Sequence, residues 1–391
     1  MKEKTYTPRE RVLAAINHLE PDRIPYTLAS SLEDAITHQA YDGWIKFLGL
    51  KEEPDTTLYN LFLDAGGFKQ IPENILRELK VDTRGFLLQQ PTEPESGITF
   101  EGTTMVFVDD WGIKWGKPET SLYVDPVDFP LKGDLTDEVL DNYPYPDGRQ
   151  EGRFQGVAEE ARRCRETGCA VVMSTYGLGQ WDYAHLLTGM ESGLMNLVLY
   201  PKQMERLLRK INEVEMEYWE KGLEVVGDTI DIAMHSDDLG MQTSLQFSPE
   251  MYRKFLKPLH KGLFDLIKKK APPGTKILLH SCGAIRPLIP DLIEAGVDIL
   301  NPIQVRAAGM DTRELKKEFG KDIVFWGGGC DTQEILPRGT PQEVREEVKR
   351  RIDDLAPGGG FVFCPVHNIQ ADVPPENLKA MWETLQEYGK Y

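Results

Sequence analysis

No run of about 18 uncharged apolar residues occurs in this 391-residue chain, and its opening, MKEKTYTPRERV, is charged where a secretory leader would be apolar. A membrane-spanning helix is therefore excluded at the sequence level, and a cytoplasmic location is expected. Positive charge is the scarcer sign: 45 Lys and Arg stand against 63 Asp and Glu, a formal net charge of −18. With no Lys/Arg-rich block, neither nucleic acid nor an anionic membrane is expected as the main partner, since phosphate recognition needs local positive charge. Cysteines are few and odd in number (Cys164, Cys169, Cys282, Cys330, Cys364) and widely spread, which reads as reduced thiols, some of them candidate metal ligands, and not as a disulfide framework. Internal repeats and low-complexity segments are missing too. So is any G-x-G-x-x-G turn after a strand, which argues against an open dinucleotide-binding sheet.

What the chain does have is alternation. Short β-branched runs at residues 169–174, 230–235, 276–280, 298–302, 322–327 and 361–364 are each preceded by a segment of 3.6-residue spacing, the pattern of βαβ units and a parallel sheet. RIPYTL at 23–28 supplies a first strand, after a helix over about 8–17 with Thr7 as N-cap and Pro8 at its first position. The expected fold is an α/β (β/α)8 TIM barrel with an N-terminal extension and an inserted β-hairpin region, TTMVFVDDWGIKW. One domain over 1–391 is expected, with 50–147 as insertion or cap and 148–391 as the main part of the barrel. The Pro/Gly/Asp-rich stretch 141–152 joins the two. The eighth strand has no clear place, with the insertion as one candidate region.

Chemistry in such barrels sits at the C-terminal ends of the strands, and unusual polar residues crowd those positions here. Tyr176 follows one strand, Asp237 and Asp238 the next, and Asn301 and Gln304 another. The sharpest signal is His280-Ser-Cys282-Gly: a His and a Cys two apart at a strand end point the same way and can share one metal. Cys364, at the end of a distant strand, is the candidate third ligand. One imidazole and two thiolates with an open fourth position form a catalytic zinc pattern.

The segments TPRERVLAAINHLEPDRIPY (7–26), HSCGAIRPLIPDLIEAGVDILNPIQ (280–304) and GGGCDTQEILPRGTPQEV (327–344) resemble the uroporphyrinogen decarboxylase superfamily over essentially the whole chain. The resemblance implies a TIM barrel, and it covers both decarboxylases and zinc methyltransferases that work with corrinoid proteins. The decarboxylase pattern of an arginine-rich loop after the first strand is absent; YTLASSLEDAIT (26–37) offers Glu33 and Asp34 instead. The His-Ser-Cys-Gly motif is similar to the methyltransferase branch, whose ligands would correspond to His280, Cys282 and Cys364. PVHNIQADVPPEN (365–377) departs from the coenzyme M enzymes and resembles the O-demethylase components, which makes His367, or an acidic residue such as Asp237 or Asp238, the substitute for Cys364.

On that resemblance the chain is expected to move a methyl group from a small-molecule O-methyl donor, an aryl methyl ether, to the cobalamin of a partner corrinoid protein. Transfer from methylcobalamin to a thiol or to tetrahydrofolate is the alternative, with uroporphyrinogen decarboxylation behind both. The cofactors are then Zn²⁺ and a cobalamin supplied by the partner, since no D-x-H-x-x-G motif occurs in the chain; a homodimer is an arrangement left open. Asp237, Asp238 and Tyr176 are the candidate catalytic groups, with one of the two adjacent aspartates facing inward. Asn301, Gln304, Asn368 and Trp111 are the candidate substrate contacts.

Overall fold

A computed structural model describes residues 5–54, 67–89, 97–175 and 178–391. Seven parallel strands run in the order β1 (Thr83–Leu87), β6 (Ala170–Ser174), β7 (Ile232–Ser236), β8 (Lys276–His280), β9 (Ile299–Asn301), β10 (Val324–Trp326) and β11 (Phe361–Val362). Residues 24–28 close the gap between β11 and β1. Tyr26 bridges Phe363 in parallel, the Thr27 and Phe363 amides donate to Phe363 and Pro25 carbonyls at 3.0 and 2.8 Å, and the Asp82 amide donates to the Tyr26 carbonyl at 2.8 Å. The ring is thus TIM-barrel-like, with 23–28 in its expected role.

The strand that had no clear place in the sequence is β1, TRGFL. Its glycine hides it: a Cβ on Gly85 would lie 1.7 Å from the Ser30 carbonyl oxygen, so the close approach of the 29–31 loop demands a residue that weakens the strand pattern. Arg84 breaks the apolar run as well, yet it is buried because Glu73 pairs with it at 2.7 Å.

Two apolar layers result. Inside the ring, Val172, Ile232, Leu278, Ile299, Val324 and Val362 pack together, and the N-terminal helix Pro8–Ala15 plugs the lower end with Val12 and Ala15. That helix starts as expected: the Thr7 side chain accepts from the Glu10 amide while the Glu10 carboxylate accepts from the Thr7 amide, a reciprocal cap. Outside the ring, helices such as Pro201–Val226 and Pro341–Leu355 cover the other face of the strands. No helix among the described residues is long and apolar enough to cross a membrane.

The insertion carries a four-stranded antiparallel sheet, β2 (Thr99–Glu101), β3 (Thr104–Val108), β4 (Lys114–Pro118) and β5 (Asp125–Asp128). The β3–β4 turn is held by Asp109, whose carboxylate accepts from the Ile113 amide at 2.9 Å and from Trp115 Nε1 at 2.8 Å.

Candidate metal centre at the barrel rim

β8 ends at His280, and the chain passes through Ser281 and Cys282 into Gly283, whose φ of 96° places it in the left-handed region open to glycine. A Cβ at Gly283 would also lie 2.4 Å from the Gly240 carbonyl carbon, so the turn admits no larger residue. The turn is fixed from outside: the Cys282 amide donates to Asp238 Oδ1 at 2.7 Å and the Gly283 amide to Gln304 Oε1 at 2.7 Å. With its backbone held, Cys282 Sγ sits 3.4 Å from His280 Nε2. His367, on the segment after β11, brings a second imidazole, its ring 5.5 Å from that of His280. Ligand atoms of His280, Cys282 and His367 all lie within 4.8 Å of one another.

These three could hold a metal ion. Tetrahedral zinc, with bonds of about 2.0 Å to nitrogen and 2.3 Å to sulfur, separates an imidazole nitrogen from a thiolate by about 3.5 Å. The tautomer is also set for it. Asn301 Nδ2 donates to the Trp326 carbonyl at 2.9 Å, so Asn301 Oδ1 must accept from His280 Nδ1 at 2.6 Å, leaving His280 Nε2 bare toward the sulfur. His367 Nδ1 is buried with no hydrogen-bond partner, a cost that a ligand at this point would remove. Burial pushes the Cys282 thiol well up, and Asp238, Asp182 and Glu33 add to the rise; a bound dication reverses that balance. Burial, then His280, holds His367 down, in the neutral form that ligates.

Cys364, the third ligand suggested by the sequence, is not in this group. Its side chain is buried within the ring beside Trp326 and Val362 and within 3.1 Å of the space a Gly327 Cβ would take. Strand alternation explains this, because a residue at the end of a strand points into the barrel while a residue in the loop above it can turn over the rim.

The two aspartates separate. Asp238 borders the group, 3.9 Å from His280 Nε2, with its side chain 39% exposed. Asp237, expected beside it, is fully buried and turned away: it accepts from the Trp181 and Asp182 amides at the start of helix Gln180–Thr188 and from His260 Nε2 at 2.8 Å. Its lone pairs hold a helix end, so it cannot meet a ligand.

Gln304 supports the Cys282 turn and donates to Gln242 at 2.9 Å. Asn368 accepts from Gln370 at 2.6 Å and from the Tyr123 hydroxyl at 3.1 Å. Trp111, expected as a substrate contact, is buried in the core and stacked on Tyr183 with centroids 4.3 Å apart. Tyr176 lies outside the described residues.

Two features of the site escaped the sequence. Tyr123, between β4 and β5, reaches Asn368 across 245 positions of chain; burial pushes its phenol up to about 12, and Cys282 adds to the rise, so it stays protonated at neutral pH. Asp182 is buried and its acidity is suppressed by burial and by Asp237 and Asp238, while its carboxylate accepts the Asp238 amide at 3.1 Å. No local pattern marks either residue, because both act across separate elements.

On the same C-terminal rim, at the ends of β1, β6 and β7, lies a partly open cavity bounded by Glu33, Asp109, Trp115, Ser174, Tyr183 and Met234. The loop that carries Glu33 is anchored by buried Asp34, which accepts from the Thr27 and Ser30 hydroxyls and from the Ser31 amide. Fold and site together define an α/β barrel protein whose polar, ligand-rich centre lies on the C-terminal rim. The uroporphyrinogen decarboxylase (URO-D) family profile matches residues 132–388, and the chain belongs to that family.

A uroporphyrinogen decarboxylase of Chlorobium phaeobacteroides is 29% identical over 198 residues, covering 48% of this chain and 50% of the relative. One from Actinobacillus succinogenes is 23% identical over 289 residues, covering 71% of this chain and 74% of the relative. The chain therefore spans about half the length of the Chlorobium relatives it matches. Among solved structures, a methyltransferase from Methanosarcina mazei superimposes with a TM-score of 0.64 at 19% identity, covering 98% of this chain and 99% of the other, a likeness of fold.

Proposed function

We propose that the protein is a zinc-dependent methyltransferase that moves a methyl group from an O-methyl donor, an aryl methyl ether, to the cob(I)alamin of a separate corrinoid protein. The observation that carries this reading is the convergence of His280, Cys282 and His367 ligand atoms within 4.8 Å of one another on the C-terminal rim. Bound there, zinc would act as a Lewis acid toward the ether oxygen, the poor leaving group of the reaction. The chain's own residues prepare the rest. Asn301 keeps the His280 imidazole in its ligating tautomer. Asp238 and the protonated Tyr123 phenol flank the centre as hydrogen-bonding groups for the leaving oxygen. Trp115, Tyr183 and Met234 exclude water from the donor's ring.

Decarboxylation of a polycarboxylate fits this rim poorly. Glu33 and Asp34 occupy the loop after the first strand, and no Lys or Arg bounds the cavity among the described residues.

The purified protein is expected to hold about one zinc per chain. With a panel of methoxylated aromatics and cob(I)alamin, it should form methylcobalamin and the matching phenol. Zinc-free protein, or methylcobalamin demethylated by a thiol or tetrahydrofolate while no methoxyarene reacts, would overturn the reading.

Asn301→Ala is expected to weaken zinc about 10- to 100-fold through loss of the His280 Nδ1 acceptor. Competition with a chromophoric chelator measures it. An unchanged affinity would show that Asn301 does not set the tautomer.

A further inference from the structure

The cavity at the ends of β1, β6 and β7 has both carboxylates and aromatic rings in its walls. Glu33 is half-buried and bounds the cavity. No hydrogen bond or ion pair engages its carboxylate among the described residues, whereas Asp109 opposite is already taken by Ile113 and Trp115. Ser174 Oγ, on a side chain 6% exposed and also lining the cavity, is buried without a partner. Trp115 and Tyr183 supply π faces, and no Lys, Arg or His bounds the space among the described residues.

We infer that this cavity is the donor site and that it selects a donor bearing a cationic or hydrogen-bond-donating substituent, an aromatic ammonium or a free hydroxyl, against one bearing a carboxylate. This rests on the methyl-transfer reading for the cavity's use, but not for its selectivity. A cationic substituent gains from the open Glu33 carboxylate and from the aromatic walls, and a neutral hydroxyl can donate to Glu33 and accept from Ser174 Oγ. An aromatic carboxylate meets the like charge of Glu33, and no Lys or Arg among the described lining residues of the cavity offsets it.

The test uses three probes of similar size, a methoxyphenethylammonium, a methoxyphenol and a methoxybenzoate, with the full chain at neutral pH and binding followed by calorimetry. The ammonium is expected to bind at least about tenfold more tightly than the benzoate, with the phenol between them. Glu33→Gln should bring the ammonium-to-benzoate ratio toward about one, and Glu33→Lys should reverse it. Because Glu33 is half-exposed and holds no other group among the described residues, both variants should keep the wild-type unfolding midpoint. Equal binding of benzoate and ammonium, or a ratio unmoved in Glu33→Gln, overturns the inference. The same order of binding without any methyl transfer would refute the proposed reaction and leave the selectivity standing.

Discussion

Cys282→Ala should leave less than about one zinc per ten chains after dialysis, against about one per chain in the parent protein, because it removes the only thiolate among the three converging ligands. Two imidazoles remain, and neither can replace the charge neutralisation that the sulfur provides. Methyl transfer should fall with the metal. Cys364→Ala is the informative contrast: its sulfur is buried in the ring and not in the ligand group, so zinc should be retained and only packing lost. Elemental analysis of the two variants side by side decides the ligand set, and metal retained in Cys282→Ala but lost in Cys364→Ala would refute the geometry. The sign of the pH dependence follows from the same groups. Burial raises the Cys282 thiol, so uptake must expel its proton, and zinc affinity should climb as pH rises through the neutral range.

The largest stability loss is expected at the opposite end of the barrel. Asp82 is fully buried and is the common partner of Arg11 at 2.7 Å, Arg23 at 2.7 Å and the Tyr26 amide at 2.9 Å. It thereby ties the N-terminal helix and the 23–28 segment to the start of β1, where the ring closes. Asp82→Ala would leave the Arg11 guanidinium, itself buried, with Asp22 and the Tyr6 carbonyl as its remaining partners among the described residues. Breaking a buried ion pair from one side costs about 3–5 kcal/mol. The urea midpoint should fall accordingly, with the denaturant slope little changed if the native state keeps its compactness. Pairing Asp82→Asn with Arg11→Met should lose less than Asp82→Ala, because the uncompensated charge goes too. A single-site loss below about 1 kcal/mol would show that the network does not hold the closure.

The alternation of strand and helix was legible because each buried parallel strand is a dense apolar run; β6, β7, β8, β9, β10 and β11 all fall on runs visible in the sequence. The capping box at Thr7 and Glu10 was legible for a similar reason, since four consecutive residues contain the whole device. So was the pairing of His280 with Cys282, because a strand's two-residue period places both on one side without reference to the rest of the chain. Strand β1 was not legible. Its glycine answers to a loop about 55 positions earlier and its arginine to a helix about ten positions earlier, and those partners exist only after folding.

The third member of the rim group belongs to the same class of fact. Cys364 and His367 both follow the last strand and both are suitable ligand types, so composition and spacing favour neither; the curl of the sheet sends Cys364 inward and lets the following loop carry His367 over the rim to His280. Asp237 and Asp238 divide for a comparable reason, one committed to the amides of a neighbouring helix and the other to the amide of Cys282. Short-range order is written in consecutive residues because one element's hydrogen bonds and period are local. The choice between equivalent ligands, and the approach of Glu33 and Tyr123 to them, depends on where distant elements come to rest as the barrel closes.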